Sequence, residues 1–126
     1  MEAVGTARAL TGLADVRERL HSRYTTLSPV HALNNLAIVV WSILSFPDDY
    51  SAAVGEAVTL GWDTDCNGAT VGGLLGIAGV GVPSHWTEPW QGRVAVSLLG
   101  PPELELDDLV VRTVAVARSF EQVPAE

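Results

Sequence analysis

The sequence predicts an all-α fold, and three of its features support this prediction. Apolar residues recur at helical spacing over residues 30–45 and again over residues 106–120. Prolines and capping residues precede several apolar segments, as they do at the start of helices. The β-branched residues lie inside helical patterns, and no segment shows the two-residue alternation of a half-buried strand.

The composition is typical of a single globular domain, which we expect to span residues 1–126. Apolar residues make up 48% of the chain and charged residues 17%, which is too apolar for a disordered protein. Seven arginines face fifteen acidic residues, giving a net charge of −8. This charge excludes a protein that binds the nucleic-acid backbone or an anionic membrane surface.

The sequence also indicates a cytoplasmic protein. Its single cysteine permits no intramolecular disulfide, and acidic residues interrupt residues 1–20, where a signal peptide would be apolar. Two long uncharged segments, residues 24–47 and 66–84, are broken by polar residues, glycine and proline. Neither segment therefore predicts a transmembrane helix.

The first half of the chain predicts helices on either side of two turns. Residues 2–23 form one broken helix or two short ones, with the break at Gly12 and Asp15 placed to cap the second. Ser28-Pro29 is a helix-start signal, and the helix after it, to Ser45, is apolar on nearly all sides. We expect that helix to lie at the centre of the protein.

The second half predicts three further helices and one irregular stretch. Pro47-Asp48-Asp49 begins a helix to about Leu60, and a helix over Asn67–Ala78 carries glycines at four-residue intervals that allow close approach of another backbone. Residues 79–102 are irregular, with a short helix near Gln91–Leu98, and the last helix begins at Leu106.

Two acidic residues, Asp63 and Asp65, separate the irregular loop from the glycine-rich helix. Carboxylates two residues apart converge on one point only outside regular helix, and a divalent cation such as Mg²⁺, Mn²⁺ or Ca²⁺ relieves their repulsion. The alternative is that either aspartate merely caps the helix that follows. The spacing alone leaves both interpretations open.

The stretch from Gly61 to Gly76, GWDTDCNGATVGGLLG, resembles without gaps the second metal motif of the ADP-ribosylglycohydrolase family. Further segments over about residues 20–120 are similar to other landmarks of that family, in the same order. These segments are Val30–Asn35, Phe46–Tyr50, Val82–Trp86 and Leu109–Thr113. The resemblance implies an all-α fold, two bound Mg²⁺ ions, with Mn²⁺ as the alternative metal, and hydrolytic removal of ADP-ribose from modified substrates.

The resemblance carries over to individual residues. Asp63 and Asp65 match carboxylates that bind metal, and Cys66 stands where many members have a threonine ligand. A thiol is a poor ligand for Mg²⁺, so the variant motif weakens this third position.

The resemblance covers only the C-terminal portion of the family's helical fold. The Gly-Asp motif and the Thr/Ser-Asp-Asp cluster of the family's N-terminal portion have no match in residues 1–60. We therefore expect the chain to be inactive alone, to carry no assigned catalytic base, and to form a homo-oligomer or pair with a complementary N-terminal chain. The alternative is a non-catalytic helical binding or oligomerisation module derived from the same family.

Three other side chains invite a functional interpretation. His31 and Asn34 share a helix face, where they would bind substrate in a polar cleft or instead bond nearby backbone. Trp62 would stack on a base or ribose, or pack in the core.

Overall fold

The computed structural model describes residues 1–12, 14–97, 100 and 102–121. It is mainly helical, which confirms the predicted fold class. The chain divides into two compact units, residues 1–83 and the residues from 84 onward. Among the described residues, no helix has the length and apolar character needed to cross a bilayer.

The first unit contains five helices, and the third of them packs against three of the others. They are α1 (Glu2–Leu10), α2 (Val16–Arg23), α3 (Ala32–Ser45), α4 (Tyr50–Thr59) and α5 (Thr64–Ile77). Helix α3 contacts α1, α4 and α5, and its Ala37 and Ile38 are fully buried. The predicted central position of this apolar helix is confirmed within the unit, although Leu36 and Leu44 on its outer side remain 47% and 40% exposed.

The breaks between helices follow the predicted turn chemistry, with two differences. Gly12 has φ +82° and separates α1 from α2, as predicted. The prediction that Asp15 caps α2 is wrong, because its carboxylate accepts a hydrogen bond from Arg19 at 2.8 Å and makes no capping bond. Helix α3 begins at Ala32, later than predicted, since the ring of His31 accepts a hydrogen bond from the Leu33 amide at 3.1 Å.

Helix α4 ends as predicted but begins at Tyr50, just after Pro47-Asp48-Asp49, whereas α5 begins earlier than predicted. The Asp49 carboxylate caps α4 by accepting from the Ala52 amide at 2.9 Å, and Gly61, with φ +92°, follows the helix. Helix α5 starts at Thr64 rather than at Asn67. Asp65 therefore lies inside its first turn.

The second unit combines short elements with one long helix. It contains α6 (Ser84–Thr87), a 3₁₀ turn (Glu88–Trp90), the antiparallel strands β1 (Arg93–Ala95) and β2 (Glu103–Glu105), and α7 (Leu106–Glu121). The prediction of a helix near Gln91–Leu98 is wrong, because Arg93–Ala95 form strand β1. Leu98 lies outside the described residues. The strands pair Val94 with Leu104, both half-buried, in a pattern only three residues long.

Two of the three glycines spaced along α5 permit close packing against α4. A Cβ at Gly68 would lie 3.2 Å from Val58 Cγ2, and one at Gly72 would lie 2.6 Å from Tyr50 Oη. A Cβ at Gly76 or Gly73 would meet no neighbouring atom within 4 Å. Of the glycines at four-residue intervals, Gly68 and Gly72 therefore allow α4 to pack closely on α5, and Gly76 does not take part.

Substituting alanine at adjacent glycines of α5 tests this packing. Gly73→Ala should raise the free energy of unfolding by about 0.5–1 kcal/mol, because alanine stabilises a helix interior. Gly72→Ala should be less stable than Gly73→Ala by about 1–3 kcal/mol, because its Cβ overlaps Tyr50. Urea unfolding of both variants measures the difference, and equal stabilisation would contradict the packing.

Candidate metal-binding site

Three potential ligand residues meet at the start of α5. Oxygens of Asp63 and Asp65 and the sulfur of Cys66 all lie within 4.8 Å of one another. Asp63 is the residue before the helix, and Asp65 and Cys66 belong to its first turn. The backbone of Asp63, at φ −85° and ψ 72°, is not helical, and this allows its carboxylate to approach that of Asp65 although the latter lies in a helix.

The Asp63 carboxylate is not used to cap α5. Asp63 stands at the N-cap of α5, yet its side chain accepts no hydrogen bond from a backbone N–H of the helix. One of its oxygens instead lies within 4.8 Å of the Cys66 sulfur and of an Asp65 oxygen. Capping therefore does not explain why this aspartate points toward the cluster.

The two aspartates also determine the chemical state of Cys66. The hydrogen bond to Asp63, and then the negative charges of Asp63 and Asp65, raise the pKa of the Cys66 thiol. A raised pKa disfavours the thiolate, which is the form that ligates metals and attacks electrophiles. The donor set thus consists of two carboxylates suited to a hard divalent cation and one thiol that is not.

Asn35 on α3 connects this cluster to the centre of the first unit. Its side-chain oxygen accepts hydrogen bonds from the Asp63 backbone amide at 3.2 Å and from the Asn67 side chain at 2.8 Å. Its side-chain nitrogen donates to the carbonyl oxygens of Pro29 and His31 at 2.8 and 2.9 Å. One buried amide therefore holds the turn before α3 and the start of α5 together.

The residues predicted to bind substrate lie beside this amide. His31 is exposed and caps α3, whereas Asn34 is fully buried and donates to the Ser28 carbonyl at 3.2 Å. Both side chains thus bond nearby backbone, and Asn34 is buried. Substrate binding by His31 and Asn34 stays a prediction.

Trp62 is half-buried and packs against two aromatic side chains of the first unit. Its ring stacks on the ring of His21 with centroids 4.3 Å apart and planes inclined by 14°. Tyr24 meets it edge-on at 6.2 Å. The loop before the acidic cluster is therefore attached to α2 as well as to α3.

Sequence reasoning missed Asn35, Asn67 and His21 as supports of the cluster. Asn35 had one visible signal, because a polar residue in a strongly apolar helix is buried only when hydrogen-bonded. Its partner Asn67 lies 32 residues away along the chain, and no local pattern pairs the two.

Comparison with known proteins gives a single result. The model of the ADP-ribosylglycohydrolase family matches residues 1–119 of this chain. The chain therefore belongs to the ADP-ribosylglycohydrolase family. No curated protein and no solved structure matches it.

The link between Asn35 and Asn67 can be measured by a double-mutant cycle. Asn35→Ala should lower the free energy of unfolding by about 1–3 kcal/mol, because it leaves buried polar groups without partners. Combining it with Asn67→Ala should reveal a coupling of about 0.5–3 kcal/mol, read from urea unfolding.

Thr70→Ala is the matched control for this cycle. Thr70 is also on α5, but its hydroxyl bonds the Cys66 carbonyl at an exposed position. Its removal should change stability by about 0.5 kcal/mol or less and show no coupling to Asn35→Ala. Additive effects of Asn35→Ala and Asn67→Ala would contradict the bridge.

Proposed function

We propose that this chain is the C-terminal metal-binding part of an ADP-ribosylglycohydrolase-like hydrolase, in which Asp63 and Asp65 hold Mg²⁺, or Mn²⁺ in its place. The observation that carries the proposal is the convergence of the two carboxylates before and within the first turn of α5. Family membership over residues 1–119 supports it. The substrate class is an ADP-ribosylated molecule or ADP-ribose itself.

The donor chemistry supports two of the three ligands strongly. Asp63 and Asp65 provide the oxygen ligands that Mg²⁺ and Mn²⁺ prefer. Cys66 is the weakest of the set, because its neighbours disfavour the thiolate. Cys66 is therefore the weakest ligand of the proposed set for Mg²⁺ and for Mn²⁺ alike.

The residues of this chain have a restricted part in the proposed reaction. Bound Mg²⁺ would supply a positive charge that orients ribose hydroxyls and polarises the scissile bond. Asp63 and Asp65 hold that charge on one side, and Asn35 holds Asp63 through its backbone amide. The base that activates water belongs, in this proposal, to the complementary N-terminal portion.

Charge balance supports a half-site rather than a complete one. Two Mg²⁺ ions carry four positive charges, of which two carboxylates neutralise half. Mg²⁺ requires near-octahedral coordination and gives up its water reluctantly, so two carboxylates hold it weakly. Additional oxygen ligands from another chain would complete the site.

Metal titration tests the two aspartates. The wild type should bind Mn²⁺ weakly, and Asp63→Asn or Asp65→Asn should reduce the affinity by at least about tenfold, because each variant removes a charged ligand. Electron paramagnetic resonance of free Mn²⁺ measures the binding. Fold stability should change by about 1 kcal/mol or less in Asp65→Asn, which loses only the interaction of its charge with the helix dipole.

Asp48→Asn is the control for this titration. Asp48 is an exposed aspartate of the same chain, and the neighbouring Asp49, not Asp48, caps α4. Its substitution alters the net charge equally but should leave Mn²⁺ affinity unchanged. Equal binding by the wild type and Asp65→Asn would remove Asp65 from the site.

Activity of the isolated chain separates the hydrolase proposal from its rival. We expect no appreciable release of ADP-ribose by the purified chain with Mg²⁺, because ligands and base are incomplete, and release on addition of the complementary N-terminal chain. Turnover by the isolated chain would refute the half-site. A stable oligomer in sedimentation that binds no metal would instead favour the non-catalytic module.

The expected partner has a candidate surface beside the cluster. A shallow groove there is lined by Val30, Leu36, Asp63, Cys66 and other residues. Val30 and Leu36 are exposed apolar side chains, which a second chain would cover. The proposed homo-oligomer or complementary chain would thus add ligands and bury apolar surface at the same place.

A further inference from the structure

The loop that leads into the acidic cluster contains a strained residue. Trp62 has φ 59°, in the left-handed region that residues other than glycine rarely adopt. Such a conformation persists only where the surrounding structure holds it in place. Since Trp62 directly precedes Asp63, its backbone angles determine the direction in which the chain presents the Asp63 carboxylate.

His21 contacts this loop at two points. Its Nε2 lies 2.8 Å from the Leu60 carbonyl oxygen, which can only accept, so Nε2 carries the proton. The same ring stacks on the indole of Trp62 with centroids 4.3 Å apart. One side chain of α2 therefore holds both the end of α4 and the strained residue.

Asp63 is thus held from two sides. On the α3 side, the Asn35 side chain accepts a hydrogen bond from the Asp63 backbone amide. On the α2 side, His21 stacks on Trp62, the residue before Asp63. Loss of the His21 ring would free Trp62 to relax to a negative φ and would turn the Asp63 carboxylate away from Asp65.

We propose that His21 is a positioning residue for the Asp63 metal ligand, acting through Trp62 rather than by contact with the metal or substrate. This inference rests on the proposed function, because it assigns a role to Asp63 in metal binding. A merely structural role for His21 would affect stability alone.

The test compares His21→Ala, His21→Phe and a control, Leu10→Ala, in the full chain. Leu10 is a buried residue of α1 and takes no part in the described hydrogen bonds and ring contacts of residues 60–63, so its truncation should destabilise the same unit and leave those contacts in place. Mn²⁺-induced broadening of the Asp63 and Cys66 amide resonances reports affinity even where binding is weak. His21→Ala should weaken Mn²⁺ binding about tenfold or more, as loss of a group that orients a ligand does.

The phenylalanine variant separates stacking from general stability. His21→Phe restores a flat ring against Trp62 but not the donor to Leu60, so it should recover part of the lost affinity. Leu10→Ala should lower stability and leave the affinity unchanged. The inference is overturned if His21→Ala binds Mn²⁺ like the wild type, or if Leu10→Ala weakens binding equally.

A metal-free measurement keeps the two proposals distinguishable. Without metal, His21→Ala should shift the Asp63 amide resonance and accelerate its hydrogen exchange, whereas Leu10→Ala should leave the resonance in place. Failure of the wild type to bind Mn²⁺ would overturn the proposed function but not this loop geometry. An unchanged Asp63 amide in His21→Ala would overturn the positioning role whatever the metal data show.

Discussion

The buried amide of Asn35 is the interaction on which the candidate site depends. A buried amide is stable only when its donors and acceptor are matched, and Asn35 meets this condition with partners from three segments of the chain. The turn before α3, the loop at Asp63 and the body of α5 are thereby fixed relative to one another. The position of the acidic cluster therefore depends on a hydrogen bond from the central helix as well as on the loop that carries it.

Close packing of α5 on α4 complements this polar link. Gly68 and Gly72 bring the α5 backbone against side chains of α4, which fixes the middle of the helix, while Asn35 fixes its first turn. The stack of His21 on Trp62 attaches the intervening loop to α2. Apolar packing, buried hydrogen bonds and aromatic stacking therefore each restrain a different part of the segment that presents Asp63 and Asp65.

Local signals in the sequence predicted most of the helices but not how they are linked. Asp49 and Gly61 mark the ends of α4 because capping and left-handed glycine are local chemistry. The early start of α5 was missed because Thr64 and Asp65 also suit a turn, and the strand Arg93–Ala95 is too short for a period of two to be recognised. The family motif indicated both aspartates, whereas the Asn35–Asn67 bond joins residues too distant for any pattern to pair.

The position of the two acids at a helix N-terminus affects how their convergence is to be interpreted. The positive end of the α5 dipole favours negative charge there, so it offsets part of the repulsion between Asp63 and Asp65 without any cation. Convergence alone therefore does not require metal. The more telling feature is that Asp63 occupies the N-cap and yet does not cap, although a capping bond would satisfy an amide that the helix leaves unpaired. Its carboxylate faces Asp65 and the Cys66 thiol instead. Asn35 fixes the backbone of Asp63, and the absence of a capping bond leaves its carboxylate oxygens available to a ligand, which is the condition that the proposed metal site requires.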